Sequence, residues 1–435
     1  MNGNTQVQPR RAGIPRILWL IKGDEYGGVA QAVRGLTGEL LRLGGSVEMV
    51  CLLEGAFAGE CRRRGMPVRC LNPGAPGPPP RLAHPLLLRR SFDYFRLLRF
   101  QRRGAKALLP VLRDIRPDAV HVVWPDLMPV AAAAAARAAI ACFWEMPNSL
   151  AGDYPARINR RIMQWQAARF HVGVLANSRY TAETFGDKPV KPRVLYLGAD
   201  ETRFDPALWG SAFQADRRSG GSESGETNVP PPNSGGVTRT QLGIPDSAIV
   251  LGIFGRVTPA KGHERVLQAL AARGVETDPP VHLLILGDVE TRAYAQTLRD
   301  LARSRRLADR LHLLGYKTDP ERYYSLVDIA VNARIDPEPF GLSVVEAMMM
   351  GKPALVHALG GPAETVLDGV TGWHVAEPSV EAFEHGLQRA LADRPRWAEM
   401  GRAARQRALE HFSLRRQARQ YLAIVNERLG AARAE

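Results

Sequence analysis

The sequence predicts an α/β protein built from two doubly wound, parallel-sheet (Rossmann-like) domains that face each other across a cleft. Three observations carry this. Near the N-terminus, "RILWLI" (Arg16–Ile21) is a short apolar run. It is followed by the Gly-bearing turn "KGDEYGG", a helical spacing of Val29, Val33, Leu36, Leu40 and Leu43, and a second apolar run, "SVEMVCLL". Strand, turn, helix, strand is the βαβ unit of a parallel sheet. The same alternation restarts at "AIVLGIFG" (Ala248–Gly255), and between the two lies "RRSGGSESGETNVPPPNSGG" (Arg217–Gly236), which has no apolar periodicity and is dense in Gly, Ser and Pro.

The remaining elements follow from the same pattern. In the first half, "DAVHVVW", "AIACFWE", "VGVLANS" and "PRVLYLG" read as buried strands. In the second half, "VHLLILGD", "LHLLG", "DIAVNA", "PALVH" and "GWHV" are strands, separated by helices that include "KGHERVLQALAA", "DPERYYSLV" and "GLSVVEAMMM". Long helices end the chain, the last from about Leu414 to Ala432. The expected organisation is a disordered 1–15, a first domain over 16–204, a linker with its disordered insertion over 205–240, a second domain over 241–410 and a C-terminal helix over 411–435.

Bulk properties narrow the class. Of 58 basic residues, 51 are Arg and 7 Lys, so the net charge of +14 reflects a compositional bias as well as any selection for anionic partners. The four cysteines, Cys51, Cys61, Cys70 and Cys142, form no C-x-x-C pair, which argues against metal knuckles and fits a reducing, cytoplasmic compartment. The polar start "MNGNTQVQPRRAGIP" is not a secretory signal, and the longest apolar stretch, Val130–Trp144, is too short to span a bilayer. There is no G-x-G-x-x-G after the first strand, no G-K-[ST], no G-x-S-x-G, no D-x-D and no H-E-x-x-H. Dinucleotide dehydrogenases, P-loop enzymes, α/β-hydrolases and metal-dependent chemistry are thereby disfavoured.

What remains gathers after the strands of the second half, where ligands bind in doubly wound sheets. "GRVTPAKG" sets Arg256 and Lys261 between a strand and a helix start, a place suited to a diphosphate. A solvated basic turn accounts for it equally well. "EPFGLSVVEAM" places Glu338 in the loop before a helix opened by Gly341 and Leu342, and Glu346 on that helix. Two carboxylates can grip sugar hydroxyls; a loop carboxylate beside a solvent-facing helix Glu is the plainer alternative. Gly360 and Gly361, and in the first half Gly27 and Gly28, offer backbone N–H groups or simply turns.

Taken together, "GRVTPAKG", "EPFGLSVVEAM", "GKPALV" and "GGPAETVLDGVTGWHV" resemble the retaining nucleotide-sugar glycosyltransferases of family 4, which have the GT-B fold. The resemblance is close over Leu251–Val375 and weaker over Ile17–Phe204. It implies that Arg256 and Lys261 hold the donor diphosphate and that Glu338 binds the transferred sugar. It also implies that Phe340, Gly341 and Leu342 add backbone contacts and that Glu346 takes the ribose hydroxyls. Tyr316 and Lys317 fall where the family places the base, and Gly27 and Gly28 would face the diphosphate and acceptor. The donor would be a nucleoside diphosphate sugar, with no metal and no other cofactor.

Two departures stand out. Many members carry a His where this chain has Glu145, so either Glu145 takes over its part or the donor sits differently. The family's "NG" is Leu197-Gly198 here. Gly360, Gly361 and Glu145 are the candidates for the sugar or acceptor side. The acceptor would be a carbohydrate or a lipid-linked glycan. The segment 81–116, with ten basic and two acidic residues among Leu, Phe and Tyr, suits peripheral contact with an anionic membrane, or alternatively a stapled surface helix. Competing readings are an inactive sugar-nucleotide-binding homologue, a sugar-nucleotide epimerase and a basic nucleic-acid-binding protein.

Overall fold

A computed structural model describes residues 14–24, 27–71, 87–150, 157–209, 237–272 and 278–434. The residues expected to be disordered at the N-terminus (up to 13) and in the Gly/Ser/Pro insertion lie outside the described residues. The chain divides into two compact units, residues 1–196 with 415–435, and residues 197–414.

In the first unit the chain runs β1 (Arg16–Ile21), α1 (Gly27–Arg42), β2 (Ser46–Cys51), α2 (Ala56–Arg63), β3 (Val68–Cys70), α3 (Leu87–Ile115) and β4 (Ala119–Val122). It continues through α4 (Met128–Arg137), β5 (Ala141–Met146), α5 (Arg157–Arg169), β6 (Gly173–Ala176), α6 (Arg179–Phe185) and β7 (Arg193–Val194). The seven strands lie in the order β3-β2-β1-β4-β5-β6-β7, and every pairing is parallel. Both faces are covered, which is why the strands read as nearly continuous apolar runs. Leu18, Leu20, Val120, Val122 and Trp144 pack with Phe100, Leu108 and Leu112 of α3 and with α4 and α5. The alternate residues Ile17, Trp19, Ile21, Met49 and Phe143 pack with α1, α2 and Ala418, Tyr421 and Val425 of the last helix, Leu414–Ala434.

That second face encloses one polar chain. Trp19 stacks on His121 at 3.8 Å between ring centroids. The Tyr421 hydroxyl lies 3.1 Å from His121 Nδ1, and His121 Nε2 lies 3.2 Å from Glu145 Oε2. Burial holds the Tyr421 hydroxyl protonated, so it donates to Nδ1, and Nε2–H donates to the carboxylate. Burying the Tyr421 hydroxyl, the His121 ring and the Glu145 carboxylate is tolerable because each of these three has a partner.

The second unit contains α7 (Pro206–Trp209), β8 (Ile249–Phe254), α8 (His263–Ala272), β9 (Val281–Leu286), α9 (Arg292–Ser304), β10 (Leu311–Gly315), α10 (Pro320–Leu326) and β11 (Ile329–Asn332). It ends with α11 (Leu342–Met349), β12 (Ala354–His357), α12 (Pro362–Thr365), β13 (Gly372–Val375), α13 (Val380–Ala392) and α14 (Trp397–His411), ahead of α15 (Leu414–Ala434). The strand order is β10-β9-β8-β11-β12-β13, again all parallel. From β8 the chain winds outward to β9 and β10; from β11 it winds the other way. The reversal point lies between β8 and β11, and the crevice outside the carboxyl ends of those two strands is where such sheets take ligands. The main departures from the sequence reading are at edges. β3 went unnoticed because three residues carry no period, and β7 spans two residues instead of the whole of "PRVLYLG".

At the opposite end of this sheet, Lys352 is fully buried and its ammonium donates to the Ser325 carbonyl at 3.3 Å. Burial pushes its pKa from 10.5 down to about 8, with the attraction of Asp328 opposing and Arg239 adding to the shift. The folded state therefore carries a costly charge at pH 7, and the cost falls away as pH rises from 8 towards 10.5, where the unfolded chain still holds its proton. Lys352→Met is expected to raise the unfolding free energy at pH 7 by about 1–3 kcal/mol and to flatten its rise above pH 8. Urea unfolding at pH 7 and pH 10 checks this. A less stable variant at pH 7 would mean that the bond to Ser325 outweighs the desolvation.

Candidate functional site

The loops after β8 and β11 are built against each other. After β8, Val257 N–H bonds to Asp288 O at 2.7 Å, and a short turn, Pro259–Lys261, ends at Gly262. Gly262 has φ +71°, and a Cβ there would overlap the Ala333 carbonyl oxygen of the loop after β11. The left-handed backbone and the close approach both require glycine. Ile335 N–H bonds to Ala260 O at 3.0 Å, closing the two loops together.

This brings two of the predicted residues into contact. Lys261 Nζ lies 2.5 Å from Glu338 Oε2, with side chains 23% and 12% exposed. On the other carboxylate oxygen, Arg334 donates to Glu338 Oε1 at 3.2 Å. Burial alone would raise the Glu338 pKa, but the charges of Lys261 and Arg334 and a hydrogen bond with Asn332 hold it below the ordinary carboxylate value. Arg334 itself is fixed by a two-pronged bond to Asp336 at 2.7 and 2.8 Å. Its carbonyl accepts from His357 Nδ1 at 2.6 Å.

His263, directly behind Gly262, is fully buried, and its Nδ1–H donates to Thr258 O at 3.2 Å. Burial pushes its pKa down to about 4; the Lys261 charge acts in the same direction, and the Thr258 bond opposes. The ring is thus a neutral prop for the Lys261 turn.

Arg256, on the turn leaving β8, is exposed and makes no hydrogen bond or ion pair among the described residues. An uncompensated guanidinium on the loop that leads to Lys261 leaves that loop receptive to an anion.

Gly360 and Gly361 serve the Glu338 loop. Gly361 N–H bonds to Glu338 O at 2.8 Å, and Glu338 and Gly360 form an isolated parallel bridge. A Cβ on Gly360 would overlap the Glu338 carbonyl oxygen, and one on Gly361 the Phe340 backbone. The missing side chains therefore admit the loop itself. Phe340 is 2% exposed and meets Phe412 edge to face at 6.0 Å. Gly341 caps α11 with φ +88°, so Leu342 begins the helix; the Val344 N–H already bonds to Gly341 O at 2.9 Å, which leaves the N–H groups of Leu342 and Ser343 without intrahelical acceptors.

Glu346 is not the solvent-facing helix residue of the plainer alternative: it is 5% exposed, and the Tyr324 hydroxyl lies 2.8 Å from its Oε2. Tyr316 and Lys317 lie elsewhere, exposed beyond β10, two strands from β8; Tyr316 is 67% exposed. Gly27 and Gly28 are exposed at the start of α1 in the first unit. Glu145, in the same unit, is turned into the interior on His121. Sequence reading missed Arg334, Asn332, Gly262 and Tyr324. The "KG" before a helix and the "NAR" after a strand were visible, but nothing in the spacing pairs a residue at 334 with one at 338 across a turn.

Known proteins resemble this chain in both of its units. Residues 27–198 match the family model described as "Glycosyl transferase 4-like domain", and residues 237–407 match "Glycosyl transferases group 1". The lipopolysaccharide 1,2-N-acetylglucosaminetransferase of Salmonella typhimurium is 34% identical over 167 residues, which is 36% of this chain and 43% of that protein. The D-inositol 3-phosphate glycosyltransferase of Gordonia bronchialis is 33% identical over 187 residues, 41% of this chain and 40% of that protein. The chain thus spans about two fifths of the length of these curated relatives. The structure of HepE from Anabaena in complex with UDP-glucose aligns with a TM-score of 0.71 over 95% or more of both chains (96% and 100%), at 20% identity.

Proposed function

Since the chain belongs to the GT-B glycosyltransferases, we propose that it moves a hexosyl group from a nucleoside diphosphate sugar to an acceptor hydroxyl with retention at the anomeric carbon. The observation that supports this best is the Lys261–Glu338–Arg334 cluster at the reversal point of the second sheet, with Arg256 exposed on the same loop as Lys261. In this reading Arg256, Lys261 and the first N–H groups of α11 take the diphosphate. The charge that develops on the leaving group is met by these fixed cations and dipoles, so no metal is invoked. Glu338 holds hydroxyls of the sugar and Glu346 those of the ribose. The bond from the anomeric carbon to the diphosphate oxygen breaks while the bond to the acceptor oxygen forms on the same face. The acceptor proton leaves with the diphosphate oxygen, so the charges balance.

The Salmonella relative is named for lipopolysaccharide and the Gordonia relative for an inositol phosphate; we adopt a carbohydrate or lipid-linked glycan as the acceptor class. The test is turnover over a panel of UDP-, GDP- and ADP-sugars. Arg256→Ala and Glu338→Ala are each expected to lower kcat/KM by roughly 100-fold or more. Wild-type rates in both would refute the assignment. Donor binding with no turnover on any acceptor would favour the inactive-homologue reading, which the engagement of Glu145 with His121 keeps in play.

We further infer peripheral contact with an anionic membrane through 81–116. In the part of α3 with described side chains, Phe100, Leu108 and Leu112 are buried, while Arg99, Arg102, Arg103, Lys106 and Arg113 are exposed along one stripe. α5 packs over the same face of the sheet and exposes Arg161, Trp165 and Arg169 at successive turns, Trp165 being 58% exposed. Among the residues with described side chains, the acidic groups on this layer include Asp114, which pairs with Arg69, and Glu183 and Asp187 near α6. An interfacial Trp amid Arg suits lipid headgroups. Among the described residues no helix is long and apolar enough to cross a membrane. Flotation with anionic but not neutral vesicles, weakened by salt and by Trp165→Ala, is the expected outcome; no flotation at low salt would remove the idea.

A further inference from the structure

A second line of order in the same unit leads to Glu346 from a different element. Gly252 lies within β8, where a Cβ would press on the Phe254 ring at 2.7 Å and on Val327 at 2.6 Å. Its absence lets the Phe254 ring lie flat against Tyr324, with centroids 3.6 Å apart and planes 18° from parallel. Phe204 closes on Tyr324 edge to face at 5.7 Å. Tyr324 is fully buried and its ring has no freedom left. Its hydroxyl lies 2.8 Å from Glu346 Oε2 and 3.0 Å from the Ser343 carbonyl oxygen, so its one proton is shared between the carboxylate and the first turn of α11. Burial and the neighbouring Glu346 charge hold this hydroxyl protonated.

An isolated core tyrosine needs only one acceptor, and the Ser343 carbonyl would satisfy it. The shorter approach to Glu346, from a ring clamped on two sides, does something more: it fixes the direction of a carboxylate that is itself 5% exposed. Glu346 also adds to the charge felt by Arg203, whose guanidinium is bound to Glu321 at 2.9 Å and to the Thr318 carbonyl at 2.8 Å at the start of α10. The helix that carries Tyr324 is therefore anchored at its start by Arg203 and at its end by the Lys352 ammonium on Ser325.

We propose that Tyr324 is the positioning residue that sets the Glu346 carboxylate for the two ribose hydroxyls of the donor, so that recognition of a ribonucleoside diphosphate depends on the Gly252–Phe254–Tyr324 stack. This rests on the reading that Glu346 takes the ribose. A hydrogen bond to a charged acceptor is among the stronger ones, and losing the partner that orients the acceptor forfeits part of it.

The test is calorimetric binding of UDP, GDP and ADP, and of the 2′-deoxy form of whichever binds tightest, to the full chain. Wild type should prefer the ribonucleotide by roughly 10-fold or more. Glu346→Gln should abolish most of that preference; if the preference survives, the ribose reading itself is wrong. Tyr324→Phe keeps the stack and should cut the preference by roughly 3- to 10-fold while leaving affinity for the deoxynucleotide unchanged. If Tyr324→Phe weakens both nucleotides equally, or neither, while Glu346→Gln abolishes the preference, Tyr324 is only a core residue and the proposal is overturned. Should Tyr324→Phe fail to fold, Phe254→Leu, which loosens the ring and keeps the hydroxyl, should shift the ratio in the same direction; an unchanged ratio counts against the proposal.

Discussion

The ion pair between Lys261 and Glu338 is the constraint on which the site depends. It joins the loop after β8 to the loop after β11 across the point where the sheet reverses its winding. Neither loop could reach the other with ordinary side chains in the way. Gly262 admits the Ala333 carbonyl on one side, and Gly360 and Gly361 admit the Glu338 and Phe340 backbone on the other. Three loops from β8, β11 and β12 thus converge on one carboxylate, and each converges because a Cβ is missing at the place of contact.

The electrostatics follow from that convergence. A carboxylate at 12% exposure would be costly without partners, and here it has Lys261, Arg334 and Asn332. Because Lys261 is committed to Glu338 and Arg334 also to Asp336, their positive charge is partly spent, while Arg256 remains uncommitted. An anionic donor would meet a site whose cations are already oriented, so little reorganisation is needed as charge builds on the leaving group. The neutral, buried His263 supports the turn without adding a further charge.

The fold was largely legible because parallel strands buried on both faces leave long apolar runs, and many of those runs ended at Gly or Pro. Short edge strands such as β3 have no such signature. The site was half legible. Arg256, Lys261 and Glu338 follow strands where ligands bind, and their residue types suit a diphosphate and hydroxyls. Arg334 and Tyr324 were not legible, since their roles come from a turn and from a ring stack between distant segments. The plainer alternative for Glu346, a solvent-facing helix residue, does not hold: it is 5% exposed, with the Tyr324 hydroxyl of α10 on its carboxylate. Gly360 and Gly361 suggested space for a ligand, and in the folded chain that space is filled by the loop carrying Glu338.

Under the proposed function Glu338 restrains Lys261, and the diphosphate would compete for the same cation. Calorimetric titration of UDP, GDP and ADP into wild type and Glu338→Gln measures this directly, with no acceptor needed. Removing one negative charge beside Lys261 should tighten binding of the best nucleoside diphosphate by roughly 5-fold or more, while the same variant loses sugar transfer. Unchanged or weaker nucleotide binding in Glu338→Gln would contradict the account, because the Lys261–Glu338 pair would then be a structural bridge remote from the diphosphate.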